Sequence, residues 1–147
     1  MIFRWSVDPT AEESVTAVVH EKTELIDRLE ELVGSVTGKN ILYAYTEDEM
    51  VLLPLSEIVC ITILGGKTYA VDQRGKQYRL RQRLYELEAM VPSCFIRINK
   101  SALANETMIE RFTTSFSGAV DVVFRGGYRE YVSRRCFAQI KRRFNEE

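Results

Sequence analysis

Ile58-Val59-Cys60-Ile61-Thr62-Ile63-Leu64, Gly65-Gly66-Lys67, Thr68-Tyr69-Ala70-Val71-Asp72, Arg74-Gly75-Lys76 and Gln77-Tyr78-Arg79-Leu80 decide the fold class. Ile58–Leu64 is a continuous apolar run of strand length, which reads as a strand buried on both faces. Gly65-Gly66-Lys67 turns it into Thr68–Asp72, and Arg74-Gly75-Lys76 turns that into Gln77–Leu80. Three short β-runs joined by tight glycine turns make an antiparallel sheet. The glycine turn lacks the GxxxxGK[ST] spacing of a phosphate loop, so it is a hairpin whose tip carries a basic residue.

The same grammar extends to both sides. Upstream, Ile41–Tyr45 and Met50–Leu55 flank the acidic turn Glu47-Asp48-Glu49, a hairpin pattern. Downstream, Leu84, Leu87, Glu88 and Val91 form a short helix stopped by Pro92. Phe95–Ile98 is a strand running into Asn99-Lys100-Ser101. Ile109–Ser117 is another, turned by Gly118 into Ala119–Phe124; Arg125-Gly126-Gly127 leads to Tyr128–Val132. Ser133 is placed to N-cap a last helix carrying Phe137, Ile140 and Phe144, with Lys141, Arg142 and Arg143 in its final turns.

The N-terminal part reads differently. Ile2–Val7 is expected as a short strand closed by Asp8-Pro9, and Val15–Val19 as a second. Leu25, Ile26, Leu29, Leu32 and Val33 then recur at helical spacing, with Thr23 as N-cap, Gly34 as the stop and Ser35–Lys39 as a linker. The expected organisation is a strand-helix extension over 1–38, a possible association or regulatory unit, followed by a β-rich domain over 39–147.

The net charge of −1 hides an asymmetry. Residues 1–66 hold four bases against twelve acids, about −8; residues 67–147 hold sixteen bases against nine acids, about +7. A basic region wide enough to meet a phosphate backbone is present, though a solvated cationic surface has the same composition. Cys60, Cys94 and Cys136 are far apart, without CxxC or Cys/His spacing, and read as reduced core residues. His20 is the only histidine, so a His-based metal site or triad is poorly supported, and Ser101 has no base near it in sequence. No cofactor or metal and no enzyme activity are expected. No apolar run approaches the ~20 residues of a membrane helix, and Met1–Pro9 lacks the features of a secretory signal, so a cytoplasmic protein is expected.

Two segments suit binding an anionic backbone while reading groups beside it: Phe95-Ile96-Arg97-Ile98-Asn99-Lys100-Ser101 and Tyr131-Val132-Ser133-Arg134-Arg135. In each a β-run ends in hydrogen-bonding and cationic side chains. The helix Gln82–Val91, preceded by Arg79, Arg81 and Arg83, has core-like apolar positions and no second helix at helix-turn-helix spacing; its arginines supply field or phosphate contacts.

From about Ile41 to Phe144 the chain resembles the LytTR DNA-binding domain family of bacterial transcription regulators. The resemblance rests on the 58–80 hairpin and on Leu84-Tyr85-Glu86-Leu87-Glu88. Beyond them come the 95–101 segment with Asn105 and Ile109, and then Tyr131–Arg135. It implies an α+β, β-rich fold of elongated antiparallel sheets with short helices, whose loops enter successive major grooves. By position it places Asn99, Lys100 and Ser101, with Arg97 before them, in one contact loop. It places Arg134 as a base-reading arginine beside Ser133 and Arg135, and Lys67 and Tyr69 in a third contact region. The family often has histidine where this chain has Asn99, so base preference does not carry over. The expected partner is double-stranded promoter DNA, bound as a homodimer on repeated half-sites. A membrane-protein inhibitor is implied by the resemblance only. The other readings are a module whose basic face meets an acidic protein, and a small-molecule-binding β protein.

Overall fold

In a computed structural model, which describes the backbone of residues 1–37 and 40–145 and the side chains of 1–34 and 40–144, the first apolar run is the centre of the molecule. It forms β3, Ile58–Leu64, between β4 (Lys67–Asp72) and β7 (Ala102–Asn105). The other strands are β1 (Ile41–Tyr45), β2 (Met50–Pro54), β5 (Gln77–Leu80) and β6 (Phe95–Asn99). All pair antiparallel in a seven-stranded sheet of order β2-β1-β5-β4-β3-β7-β6. A second, three-stranded sheet of order β10-β9-β8 holds β8 (Ile109–Thr114), β9 (Val120–Phe124) and β10 (Arg129–Val132). The helices are α1 (Glu24–Thr37), α2 (Leu84–Met90) and α3 (Arg134–Asn145).

β3 is buried on both faces because each face of the large sheet meets a different layer. One core gathers Leu42, Leu53, Ile61, Leu80 and Leu103 beneath Leu84 and Leu87 of α2. The other gathers Val59, Cys60, Val71 and Ile98 against Val122, Phe124 and Val132 of the small sheet and Ile140 of α3. A register shift between Ile58 and Cys60 lets two neighbouring residues, Val59 and Cys60, serve the second core. Gly65 and Gly66, both with positive φ (58° and 79°), close the two-residue hairpin β3–β4 at the Leu64–Lys67 pair.

Three expectations change. Ala102–Asn105, which the sequence reading leaves without an element, is the fully buried strand β7. Ala-Leu-Ala-Asn carries little β propensity, and pairing with β3 on one side and β6 on the other overrides it. Ile2–Val7 and Val15–Val19, expected as strands, belong to no strand, because no strand edge runs beside them. The helix of the extension is present but passes through Gly34 to Thr37. The linker expected at Ser35–Lys39 therefore begins inside the helix, and its last residues, 38 and 39, lie outside the described residues.

Candidate nucleic-acid interface

Strand register brings the predicted segments to one end of the molecule. The β3–β4 hairpin turns there, and Ile63 N–H donates to Ser101 C=O at 2.9 Å, which seats the β6–β7 turn beside it. Ser133 N–H donates to Ile98 C=O at 2.9 Å, so the β10–α3 junction lies on the other side of that turn. Lys67, Asn99–Ser101 and Ser133–Arg135 thus form one row. Their separation in sequence is closed by β3, β6 and β10 ending at the same level.

The nine predicted residues fall into two groups. Four are exposed cations: Lys67, Lys100, Arg134 and Arg135. Among the described residues, none of these four side chains has a hydrogen bond or ion pair. Four of the other five are engaged in hydrogen bonds. Asn99 is 9% exposed; its Nδ2 donates to Tyr131 C=O at 2.6 Å and its Oδ1 accepts from Ser101 N–H at 2.7 Å. Arg97 forks onto Glu88, with Nε to Oε2 and Nη2 to Oε1 both at 3.1 Å, and its Nη1 donates to Lys100 C=O at 3.0 Å. Ser133 Oγ accepts from Cys136 N–H at 3.2 Å, the N-cap bond of α3. Tyr69 is half-buried on β4, in register with Arg79 of β5 and Thr62 of β3.

Apart from the Arg97–Glu88 ion pair, each of these bonds satisfies a backbone N–H or C=O. Asn99 joins the β6–β7 turn to β10, and Arg97 joins the same turn to α2. The loops therefore present their cations from a braced frame. The amide and guanidinium chemistry that made Asn99 and Arg97 stand out in the sequence is spent within the protein.

Two neighbours of the row extend it. Arg81 lies over the Tyr45 ring with its guanidinium carbon 4.0 Å from the centroid, and Arg79 Nε donates to Leu80 C=O at 3.2 Å. Both border a recess with Glu47, Asp48 and Glu49, so the β1–β2 turn sets a negative limit on that side. On the far side, pairing of Val132 with Val120 and of Val120 with Thr114 brings the β8–β9 turn to the same level. Its Phe116 is fully exposed. No property of the sequence around Phe116 marks it as surface; only the register does.

Cys60 and Cys94 lie away from this row. Burial pushes Cys60 well above the ordinary thiol range, with the Glu130 carboxylate adding to it. Burial likewise raises Cys94 to about 11, helped by Glu106 and Glu31. Neither has the low pKa of a reactive thiolate. Among the described residues no group of three or more His, Cys, Asp or Glu is placed to hold a metal ion, and no helix is long and apolar enough to cross a membrane.

An antiparallel β body whose strand-end loops gather unpartnered cations, with its helices held in the scaffold, defines a loop-presenting domain. The chain belongs to the LytTr DNA-binding domain family, whose model matches residues 48–145. Its structure is similar to the LytTr DNA-binding domain of a putative methyl-accepting/DNA response regulator from Bacillus cereus. The TM-score is 0.65 at 20% identity, over 72% of this chain and 97% of that one. In sequence it is similar to an uncharacterized HTH-type transcriptional regulator of Staphylococcus aureus strain MSSA476, 25% identical over 92% of this chain and 93% of the relative. Another so described, from strain N315, is 27% identical over 81% and 82%. In this chain the three described helices are separated by strands, and no two of them form a helix-turn-helix.

Proposed function

We propose that this chain is a transcription regulator that binds duplex promoter DNA sequence-specifically, as a pair on repeated half-sites. The observation that carries the reading is the row of four exposed, unpartnered cations held by braced turns at one end of the β body. An unpaired guanidinium or ammonium on a fixed loop can displace counterions from phosphates without first breaking an internal ion pair. In this reading Lys67 and Lys100 approach the backbone and base edges from two turns. Arg134, or its neighbour Arg135, meets a guanine edge with its two-pronged fork from the start of α3. Asn99, Arg97, Ser101 and Ser133 act as positioning residues that hold these loops in register. Tyr69 packs behind the Lys67 turn. Membership of a DNA-binding family supports the same partner.

The test is selection of bound duplexes from a random pool, followed by titration of the selected duplex across salt concentrations. With roughly four to eight phosphate contacts, log K falls with log salt at a slope of about −4 to −7. A flat dependence, or failure to bind any duplex, sinks the reading and favours an acidic protein as the partner of the basic face.

A further inference from the structure

We infer that Phe116 is a base-reading residue, its ring covering the C5-methyl group of a thymine in the major groove near the base that Arg134 meets. The inference rests on the proposed binding of duplex DNA and names a further contact at that same site. A lone exposed apolar side chain needs no explanation in itself; the place of this one does. Phe116 is fully exposed and belongs to neither core. Phe112, four residues earlier on β8, has its ring 5.4 Å from that of Phe137 on α3. The strand ends at Thr114, so Phe116 stands past the sheet, on the turn that follows.

That turn is fixed. Ser115 N–H donates to Ala119 C=O at 2.9 Å, Gly118 N–H donates to Ser115 C=O at 3.0 Å, and Gly118 takes a positive φ of 83°. This is a three-residue hairpin loop, a β-turn completed by a left-handed glycine. The Ser115 and Ser117 hydroxyls bond each other at 2.7 Å, from either side of Phe116. The backbone under the ring is therefore already ordered, and binding has only the side chain left to immobilise.

Register sets the turn beside Arg134. Val132 pairs with Val120 and Val120 with Thr114, which puts Thr114 two strand spacings, about 10 Å, from Val132. β8 and β10 run the same way beside β9, and Phe116 and Arg134 each lie two residues past those paired positions. A docking that lays Arg134 on a base edge therefore brings Phe116 to the same stretch of groove. No charged residue lies between Arg111 and Asp121, so the turn meets phosphates without repulsion, unlike Glu47-Asp48-Glu49 of the β1–β2 turn. The ring has no hydrogen-bonding group. In the major groove donors and acceptors line every base pair, and the apolar group offered there is the thymine methyl. That methyl is the feature of a base edge that a phenyl ring can read.

The test removes the methyl group and nothing else. In the duplex selected from a random pool, each thymine is replaced in turn by deoxyuridine, and the affinity of the full chain is measured. One replacement, near the base lost with Arg134, is expected to weaken binding about fourfold, the effect of losing one buried methyl group. Phe116→Ala, at an exposed site outside both cores, is expected to keep the circular dichroism of the parent. It should bind the thymine duplex roughly three- to tenfold more weakly and be indifferent to that replacement. Phe116→Leu, apolar but smaller, is expected to keep part of the preference. Failure to bind any duplex brings down the DNA reading itself, and this inference with it. Where the selected duplex is bound, four results overturn the inference alone. They are a flat deoxyuridine series, a thymine preference that Phe116→Ala leaves intact, and a loss in Phe116→Ala that is equal on every duplex, as a wedge between bases or a sugar contact gives. The fourth is a change of sedimentation mass in Phe116→Ala with DNA affinity unaltered, which gives the residue to a protein partner.

Discussion

The hairpin β6–β7 is fastened at both ends by an asparagine, and the two ends differ in what surrounds the fastening. At one end Asn99 donates to Tyr131 C=O and accepts from Ser101 N–H. At the other Asn105 donates to Ile58 C=O at 2.9 Å and accepts from Thr107 N–H at 3.2 Å and Thr107 Oγ1 at 2.7 Å. The device is the same: a short amide completes a turn and ties it to a neighbouring strand. Around Asn105, charge is neutralised, since Arg143 Nε lies 3.0 Å from Glu106 Oε2 and its Nη2 donates to Oε1 at 3.1 Å. Around Asn99, Lys67, Lys100, Arg134 and Arg135 have no such partners among the described residues. One end, the closed one, has its charges paired, and at the other they are left unpaired, which is where the proposed reading puts the DNA. Rigidity is common to the two ends; what differs between them is the charge left unpaired on the frame.

The comparison breaks most severely at Gly126. Its φ is 95°, and an added methyl would overlap the carbonyl oxygen of Gln73, where the β9–β10 turn meets the turn after β4 on the closed end. Gly126→Ala is expected to destabilise the fold by at least about 3 kcal/mol, from left-handed strain and from separation of the two turns. Urea denaturation measures it; a loss under about 1 kcal/mol would show that the contact of the two turns is dispensable.

Next come the asparagines. Asn105→Ala leaves the buried Ile58 carbonyl unpaired and is expected to cost about 2–3 kcal/mol of stability, while the folded fraction binds the selected duplex as before. Asn99→Ala is expected to cost less stability, about 1–2 kcal/mol, because the site is nearer the surface, yet to weaken DNA binding as well. Denaturation and DNA titration on both variants decide. Equal effects on binding would erase the difference between the ends.

The cations sharpen it further. Arg134→Ala is expected to lose about 1–3 kcal/mol of affinity and to relax preference at one base, with stability unchanged. Arg134→Lys should restore charge without the fork. A loss that moves instead with Arg135→Ala would assign the base contact to that neighbour. Arg143→Met is expected to change stability by only about 0.2–1 kcal/mol and affinity not at all. Fluorescence anisotropy on specific and random duplexes separates base reading, which is lost only on the specific one, from phosphate contact, which is lost on both.

The smallest effect is on pH. At the closed end the Cys94 thiol is pushed from the ordinary 9.0 to about 11 by burial and nearby carboxylates. A group whose folded value is raised contributes stability fully below its unfolded value, and loses it as pH rises through the folded one. Cys60, and Tyr128 through burial, are shifted in the same direction. Stability is therefore expected to be level near neutrality and to decline between about pH 9 and 11. Cys94→Ala should shrink that decline, and denaturation midpoints across this range test it.

Much of this was legible in the chain. The unbroken apolar run of β3 needs cover on both faces, so two layers around one sheet follow from Ile58–Leu64 alone. Gly65-Gly66, Pro92 and Ser133 mark a hairpin, a helix stop and a helix start by backbone geometry that neighbours do not alter. The charge asymmetry located the basic half. Tertiary structure alone decided which polar residues are free. Asn99 and Arg97 look in sequence as available as Lys100 and Arg134, because hydrogen-bonding capacity is a property of the side chain and its partner is a property of the fold. It also decided that Ala102–Asn105 is a strand and that Ile2–Val7 is not. A strand exists only where another edge meets it, and the distance along the chain to that edge is invisible in the residues that form it.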